Sequence, residues 1–287
     1  MPYLRDVSYS LEETVAAVSD YFDFLVKLYL PESLILRPPE GGWPEVNSER
    51  VQGLGKSDEV IKLLRHLPYI NENPSDLSGI DGGPSGCKFY NWLRRFRDLD
   101  RPDADPTTVF ESAKTMTEPI EEEFVVPPHV VGLLSTKDDL FLLDTQLGII
   151  YWYECPGSIQ ASPTREPVWD NPDEDPLDER EGEHWRCFPA WAVQDFFELL
   201  KDHFREQRTV PVSPITVYDL DNFRWSSKVK DEVMPLVKAT FREHGWPDLD
   251  RYRKEECLQA VRRIMEQHLG EQHCGGYWPD WLAEGNS

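Results

Sequence analysis

VVGLLSTKDDLFLLDTQLGIIYWYE, residues Val130–Glu154, is the stretch around which the chain is organised. It contains three short apolar runs, Val130–Leu134, Leu140–Leu143 and Ile149–Tyr153. Two polar turns, Ser135–Asp139 and Asp144–Gly148, separate them. Short runs of β-branched, aromatic and leucine residues broken by Asp, Ser, Thr and Gly read as strands of an antiparallel meander. Gly148 supplies the positive φ that the second turn calls for. The runs are almost continuously apolar, so the sheet should be covered on at least part of both faces.

Helices are expected on either side of this meander. Ser10–Glu13 has the form of a capping box, and Leu11–Leu30 follows with Val15, Val18, Phe22, Leu25, Val26 and Tyr29 at helical spacing until Pro31 stops it. After a linker rich in Pro and Gly (Arg37–Val46), Ser57 caps a shorter helix, Asp58–His66, closed by Pro68. The glycines of DGGPSG (Asp81–Gly86) do not make a P-loop, because no G-K-[ST] follows, and the stretch reads as a packing loop. Tyr90–Arg97 is a basic and aromatic patch, read as a short strand or helix, and residues 98–123 as an extended surface segment.

Beyond the meander, residues 156–183 are dominated by Pro, Asp and Glu and predict a long mobile loop inserted into the sheet domain. His184–Phe188 reads as one further strand and Pro189–Arg205 as a helix with a Phe- and Leu-rich face. Val210–Pro214 reads as a break. Ser227–His244 and Asp250–Leu269 then predict an αα-hairpin, with Trp278 and Trp281 pinning the end of the chain. The fold class that follows is α+β: a central antiparallel β-meander packed by helices, with a C-terminal helical hairpin. The domain reading is residues 1–210 for the sheet domain and 211–287 for the helical extension packed on it.

Charge narrows the function. The 287 residues contain 30 Lys+Arg against 53 Asp+Glu, a net charge of −23. A surface this acidic repels nucleic-acid backbones and anionic membranes, and favours either solubility alone or a basic partner. The N-terminus lacks a signal-peptide pattern, and no apolar run reaches the ~18 residues of a membrane span. Five cysteines (Cys87, Cys155, Cys187, Cys257 and Cys274), odd in number and without CxxC spacing, suit free thiols in a reducing compartment. A cytoplasmic protein without nucleic-acid or membrane partners is expected.

Chemistry leaves few marks. Cys257, His268, His273 and Cys274 lack the close ligand pair typical of zinc, and neither a metal nor another cofactor is expected. No GxSxG elbow is present, and Cys187 near His184 reads as a buried thiol rather than a nucleophile. No catalytic residue can be assigned. Asp144 and Glu154 are the most notable carboxylates, at the ends of the central strands, although turn capping alone accounts for Asp144.

VPPHVVGLLSTKDDLFLLDTQLGIIYWYE (Val126–Glu154) followed by FPAWAVQDFFELL (Phe188–Leu200) resembles the SUKH superfamily, which includes fungal cell-wall-assembly regulators and bacterial immunity proteins. HLPYI (His66–Ile70) is similar to that family's earlier Leu-Pro element, and the resemblance spans about residues 45–205. Gly245–Cys257 resembles a segment of uncharacterised fungal proteins that carry such a domain. The resemblance implies an α+β fold used for protein binding rather than chemistry. On this reading an acidic, aromatic-rimmed surface holds a basic protein, with Asp144, Trp152, Tyr153, Glu154 and Trp185 as contacts. Trp152 and Trp185 fit a core equally well. The alternative is an enzyme with an apolar pocket between the sheet domain and the C-terminal helices.

Overall fold

The computed structural model describes residues 2–47, 49–51, 53–71, 79–119, 125–135, 140–161, 164–169, 184–221 and 228–270. Along the chain, helix α1 (Leu11–Leu28) is followed by strand β1 (Ile35–Leu36), helix α2 (Asp58–His66) and strand β2 (Tyr69–Ile70). Helices α3 (Trp92–Asp98) and α4 (Pro106–Thr117) precede the meander of β3 (Val130–Gly132), β4 (Leu140–Asp144) and β5 (Ile149–Tyr153). Next come the short helix α5 (Gly157–Ala161), strand β6 (Ala190–Ala192) and helix α6 (Val193–Arg205). Strands β7 (Thr209–Pro211) and β8 (Val217–Asp219) and helices α7 (Met234–Glu243) and α8 (Lys254–Leu269) complete the order. The fold is α+β.

The chain divides into two compact units, each drawn from interleaved segments rather than one consecutive stretch. The first comprises Met1–Asp20, Leu36–Asn71 and Phe89–Leu199; the second comprises Tyr21–Ile35, Glu72–Lys88 and Leu200–Ser287. The division runs through α1 and α6 instead of falling near residue 210.

In the first unit a four-stranded antiparallel sheet runs in the order β3-β4-β5-β6. Its register sets Phe141 opposite Trp152 and Leu142 opposite Tyr151. One face is an aromatic cluster: the Phe141 ring lies 4.9 Å from that of Trp152 and 4.7 Å from that of Phe196 on α6, both edge-on. The other face gathers Val130, Leu140, Leu142, Ile149, Tyr151 and Tyr153 under Leu4, Val7, Val126, Val168 and Phe188. Cover on both faces explains why β4 and β5 are buried at every position, and why their sequences are apolar without alternation.

Local chemistry sets the surrounding helices. Ser57 and Asn91 accept the amides of Val60 and Arg94 and so cap α2 and α3. Residues 98–123 are not an extended segment throughout. Asp105 accepts the Thr108 amide at 2.8 Å and Pro106 occupies the first turn, which together start α4. The end of α4 lies against β3 at Gly132, where a Cβ would come within 1.8 Å of the Thr117 carbonyl oxygen.

Two further corrections concern residues 156–192. Within the expected mobile loop, residues 157–161 form α5, and the Val168 amide donates to the Ala190 carbonyl at 2.7 Å, extending the sheet edge. Residues 170–183 lie outside the described residues. His184–Cys187 is a 3-10 turn, and the strand falls later, at Ala190–Ala192, where the helix was expected to have begun.

The second unit contains the C-terminal helical hairpin. Trp246 donates to the Phe204 carbonyl and packs edge-on to Tyr252. Lys254 donates to the carbonyls of Val26 and Leu30, satisfying the end of α1. The expected break at Val210–Pro214 is a β7–β8 hairpin, in which Val210 pairs with Tyr218. The loop after residue 80 is a packed element: Tyr21 and Tyr29 donate their hydroxyls to the carbonyls of Gly82 and Asp81. The Gly82 amide donates to Cys87, so this backbone is committed to the protein itself. Trp278 and Trp281 lie outside the described residues. Among the described residues no helix is long and apolar enough to cross a membrane.

Candidate functional site

Asp144 ends β4 and is fully buried, at 0% exposure. Its Oδ1 accepts the amides of Gln146 at 2.8 Å and Leu147 at 3.0 Å, closing the turn that leads to β5. Its Oδ2 faces Arg186 at 3.4 Å and His129 at 3.7 Å, and the same Arg186 nitrogen donates to the Tyr151 hydroxyl at 3.2 Å. This buried carboxylate with its arginine ties the 3-10 turn of residues 184–187 to the sheet. It is a structural knot, and Asp144 is not accessible to a partner.

The other expected contacts separate. Trp152 is 0% exposed and lies in the aromatic face between Phe141 and Phe196, so it cannot touch a partner in this fold. Tyr153 is buried against Phe188. Glu154 is exposed, at a positive φ of 56°. The side chain of Trp185 lies outside the description. Cys187 is exposed rather than buried. Cys257 is buried, and desolvation pushes its thiol up to about 12, which disfavours the thiolate that a metal requires. His273 and Cys274 lie outside the described residues.

Sequence reading missed a surface formed by the N-terminal segment. Trp169 donates its amide to the Pro2 carbonyl, and Leu4 donates its own to the Trp169 carbonyl, both at 3.0 Å. This parallel bridge carries Tyr3 and Trp169 on the extended edge beyond β6, exposed at 48% and 47%. The Arg5 guanidinium stands 4.8 Å from the centre of the Tyr3 ring. The chain then crosses the β4–β5 turn at Gly148. That glycine has φ +73°, and a Cβ there would fall 2.5 Å from Ser8 C and 2.7 Å from Tyr9 N.

Where the segment crosses, a cleft of about 230 Å³ opens. It is walled by Asp6, Ser8, Glu13 and Thr14 on one side and by Val193, Gln194 and Asp195 on the other, with Gly148 also in its lining. Glu13 and Asp195 lie in the first turns of α1 and α6. Acids at these positions read in sequence as ordinary complements to a helix dipole, and nothing local signals that the fold brings them together.

No family model matches this chain, nor does any curated protein or solved structure. The reading of the site therefore rests on its own geometry. Among the described residues no group of three His, Cys, Asp or Glu side chains could hold a metal ion. The described surface offers a pair of exposed aromatic rings one 3-10 turn from an acidic cleft.

Proposed function

We propose that this is a protein-binding or regulatory protein of the SUKH kind that captures a basic protein in the cytoplasm through an acidic, aromatic-edged surface. The observation that carries the reading is the Tyr3–Trp169 pair, two large rings held on a hydrogen-bonded edge at nearly half exposure, with Tyr3 directly preceding the 3-10 turn that ends at Asp6. Aromatic anchors with a charged rim are the usual source of affinity at protein interfaces. The net charge of −23 favours a cationic partner and steers it. Arg5 stacked on Tyr3 illustrates the chemistry within the chain itself, because a guanidinium over an aromatic face is attracted by the ring quadrupole. Glu154, exposed at the end of β5, belongs to the acidic contacts of this reading.

The test is affinity capture from a fungal lysate, comparing the wild-type chain with a Tyr3→Ala/Trp169→Ala variant and identifying both proteins and small molecules. A basic protein held by the wild type and released by the variant supports binding. A small molecule retained without a protein, or capture that is indifferent to the variant, rejects it.

A further inference from the structure

We propose that the β7–β8 hairpin is a pH-operated latch: when the buried His203 near the end of α6 takes up a proton, the hairpin swings open about residue 207 while α8 stays folded. Such a latch is independent of the binding surface described above.

Three features meet at this joint. Gln207, between α6 and β7, has a φ of 57°, a left-handed backbone that residues with a side chain seldom adopt. Strain of this kind collects at segments that switch between two arrangements. The joint is also poorly satisfied. His203 and Thr209 are each 1% exposed, and Nδ1 and Nε2 of the imidazole and Oγ1 of Thr209 have no hydrogen-bond partner among the described residues. Buried polar groups are nearly always paired, so leaving these unpaired weakens the closed arrangement relative to one that admits water.

The third feature is a ring of charge. His203 is faced by Asp202 on its own helix, Arg208 in the connection, Asp219 on β8 and Asp221 just beyond it. From α7, whose Lys238 carbonyl accepts the Gln207 side chain at 3.0 Å, Lys238 lies in the field of Asp221 and Arg242. In the closed form the acids have other work: Asp221 accepts from Arg208 at 2.5 Å, Asp219 accepts the Asp221 amide at 3.0 Å, and Asp202 accepts from Arg205 at 2.7 Å. None of them bonds the ring. The closed hairpin therefore suits a neutral imidazole, and burial, helped by Arg208, pushes His203 down to about 4 against the pull of the three acids. Opening lets water and the freed carboxylates reach an imidazolium, which restores the ordinary value of 6.5. The latch is accordingly shut above pH 6.5 and loosens as pH falls towards 4. The Val217 amide donates to the Asp81 carboxylate at 3.1 Å and the Asp81 amide to the Ile215 carbonyl at 2.9 Å, so an open hairpin also releases the backbone at residue 81.

The test is amide hydrogen exchange on the full chain at pH 7 and pH 5, expressed as protection factors so that the intrinsic pH dependence of exchange cancels. The amides of Val210, Val212, Tyr218 and Leu220 report the hairpin, and those of Val261 and Met265 report α8. With the ring at about 4 when closed and 6.5 when open, hairpin protection should fall by about 20-fold from pH 7 to pH 5. It should also lie below that of α8 at both values, the mark of local rather than global opening. In His203→Leu the fall should shrink to less than about 3-fold, because no proton is taken up there. His203→Gln gives the same reading if the leucine variant folds poorly, and the wild-type profile needs neither. Hairpin protection that is equal at the two pH values, an undiminished fall in a folded variant, or hairpin amides as protected as α8 and changing only in step with it would each overturn the latch.

Discussion

Gly148→Ala should destabilise the protein, because one backbone position serves the turn and the crossing segment together. The first cost is conformational: a side chain held at φ +73° loses about 1–2 kcal/mol. The second is steric. The added methyl would meet Ser8 C, Ser8 O and Tyr9 N at 2.5, 2.6 and 2.7 Å, all main-chain atoms that no rotamer change can move aside. Overpacking of this kind costs about 1–3 kcal/mol, so the total is roughly 2–5 kcal/mol. Urea or guanidinium titration measures it. Gly157→Ala is the control, since nothing lies within 4 Å of its would-be Cβ, and it should be neutral or slightly stabilising. If Gly148→Ala matched the wild type in midpoint, the claim that the N-terminal segment is seated on this turn would be wrong.

Three further outcomes follow from the same packing. Asp144→Ala removes the acceptor of two turn amides and one of the partners of Arg186, which keeps its bond to Tyr151, costing about 1–3 kcal/mol by chemical denaturation, with Asp144→Asn milder. Trp152→Ala should cost about 3–5 kcal/mol as a core truncation. Trp169→Ala, at an exposed ring, should stay within about 0.5 kcal/mol, and equal effects would contradict their assigned places. His203 is 1% exposed with neither ring nitrogen hydrogen-bonded among the described residues, and burial, aided by Arg208 and opposed by Asp219, Asp221 and Asp202, lowers its pKa from 6.5 to about 4. The unfolded chain therefore binds the extra proton first: the contribution is complete above pH 6.5 and lost as pH falls towards 4, about 3 kcal/mol at most. His203→Leu should flatten that acid limb relative to the wild type, and an unchanged limb would refute the assignment.

The sheet was legible because its signal is local. Ile149–Tyr153 is a strand with the bounds its sequence indicates, and Ser57 caps α2 as its type and position suggest. α4 was missed although Asp105 and Pro106 form a start signal, because the charged residues around it obscure a face that buries little more than Phe110, Ala113 and Thr117. β6 was absorbed into the following helix, since three residues, Ala190–Ala192, are too few to show a period of two. The surface was the least legible part. Trp169 looked like one aromatic in an acidic loop, and only its pairing with Pro2–Leu4 makes an edge of it. The cleft draws on residues 6–14, 148 and 192–195, and no spacing rule joins positions so far apart in the chain. Trp152, the most prominent aromatic of the central stretch, is prominent because it fills the core.

The central claim is that charge and two exposed rings together hold a basic protein. Its most direct test is the affinity of the wild type and of Tyr3→Ala/Trp169→Ala for the captured partner, at low and at moderate ionic strength. The account predicts wild-type binding that weakens as salt screens the acidic surface, and a variant weaker at both salt concentrations. Binding that ignores salt, or a variant as tight as the wild type, would contradict it.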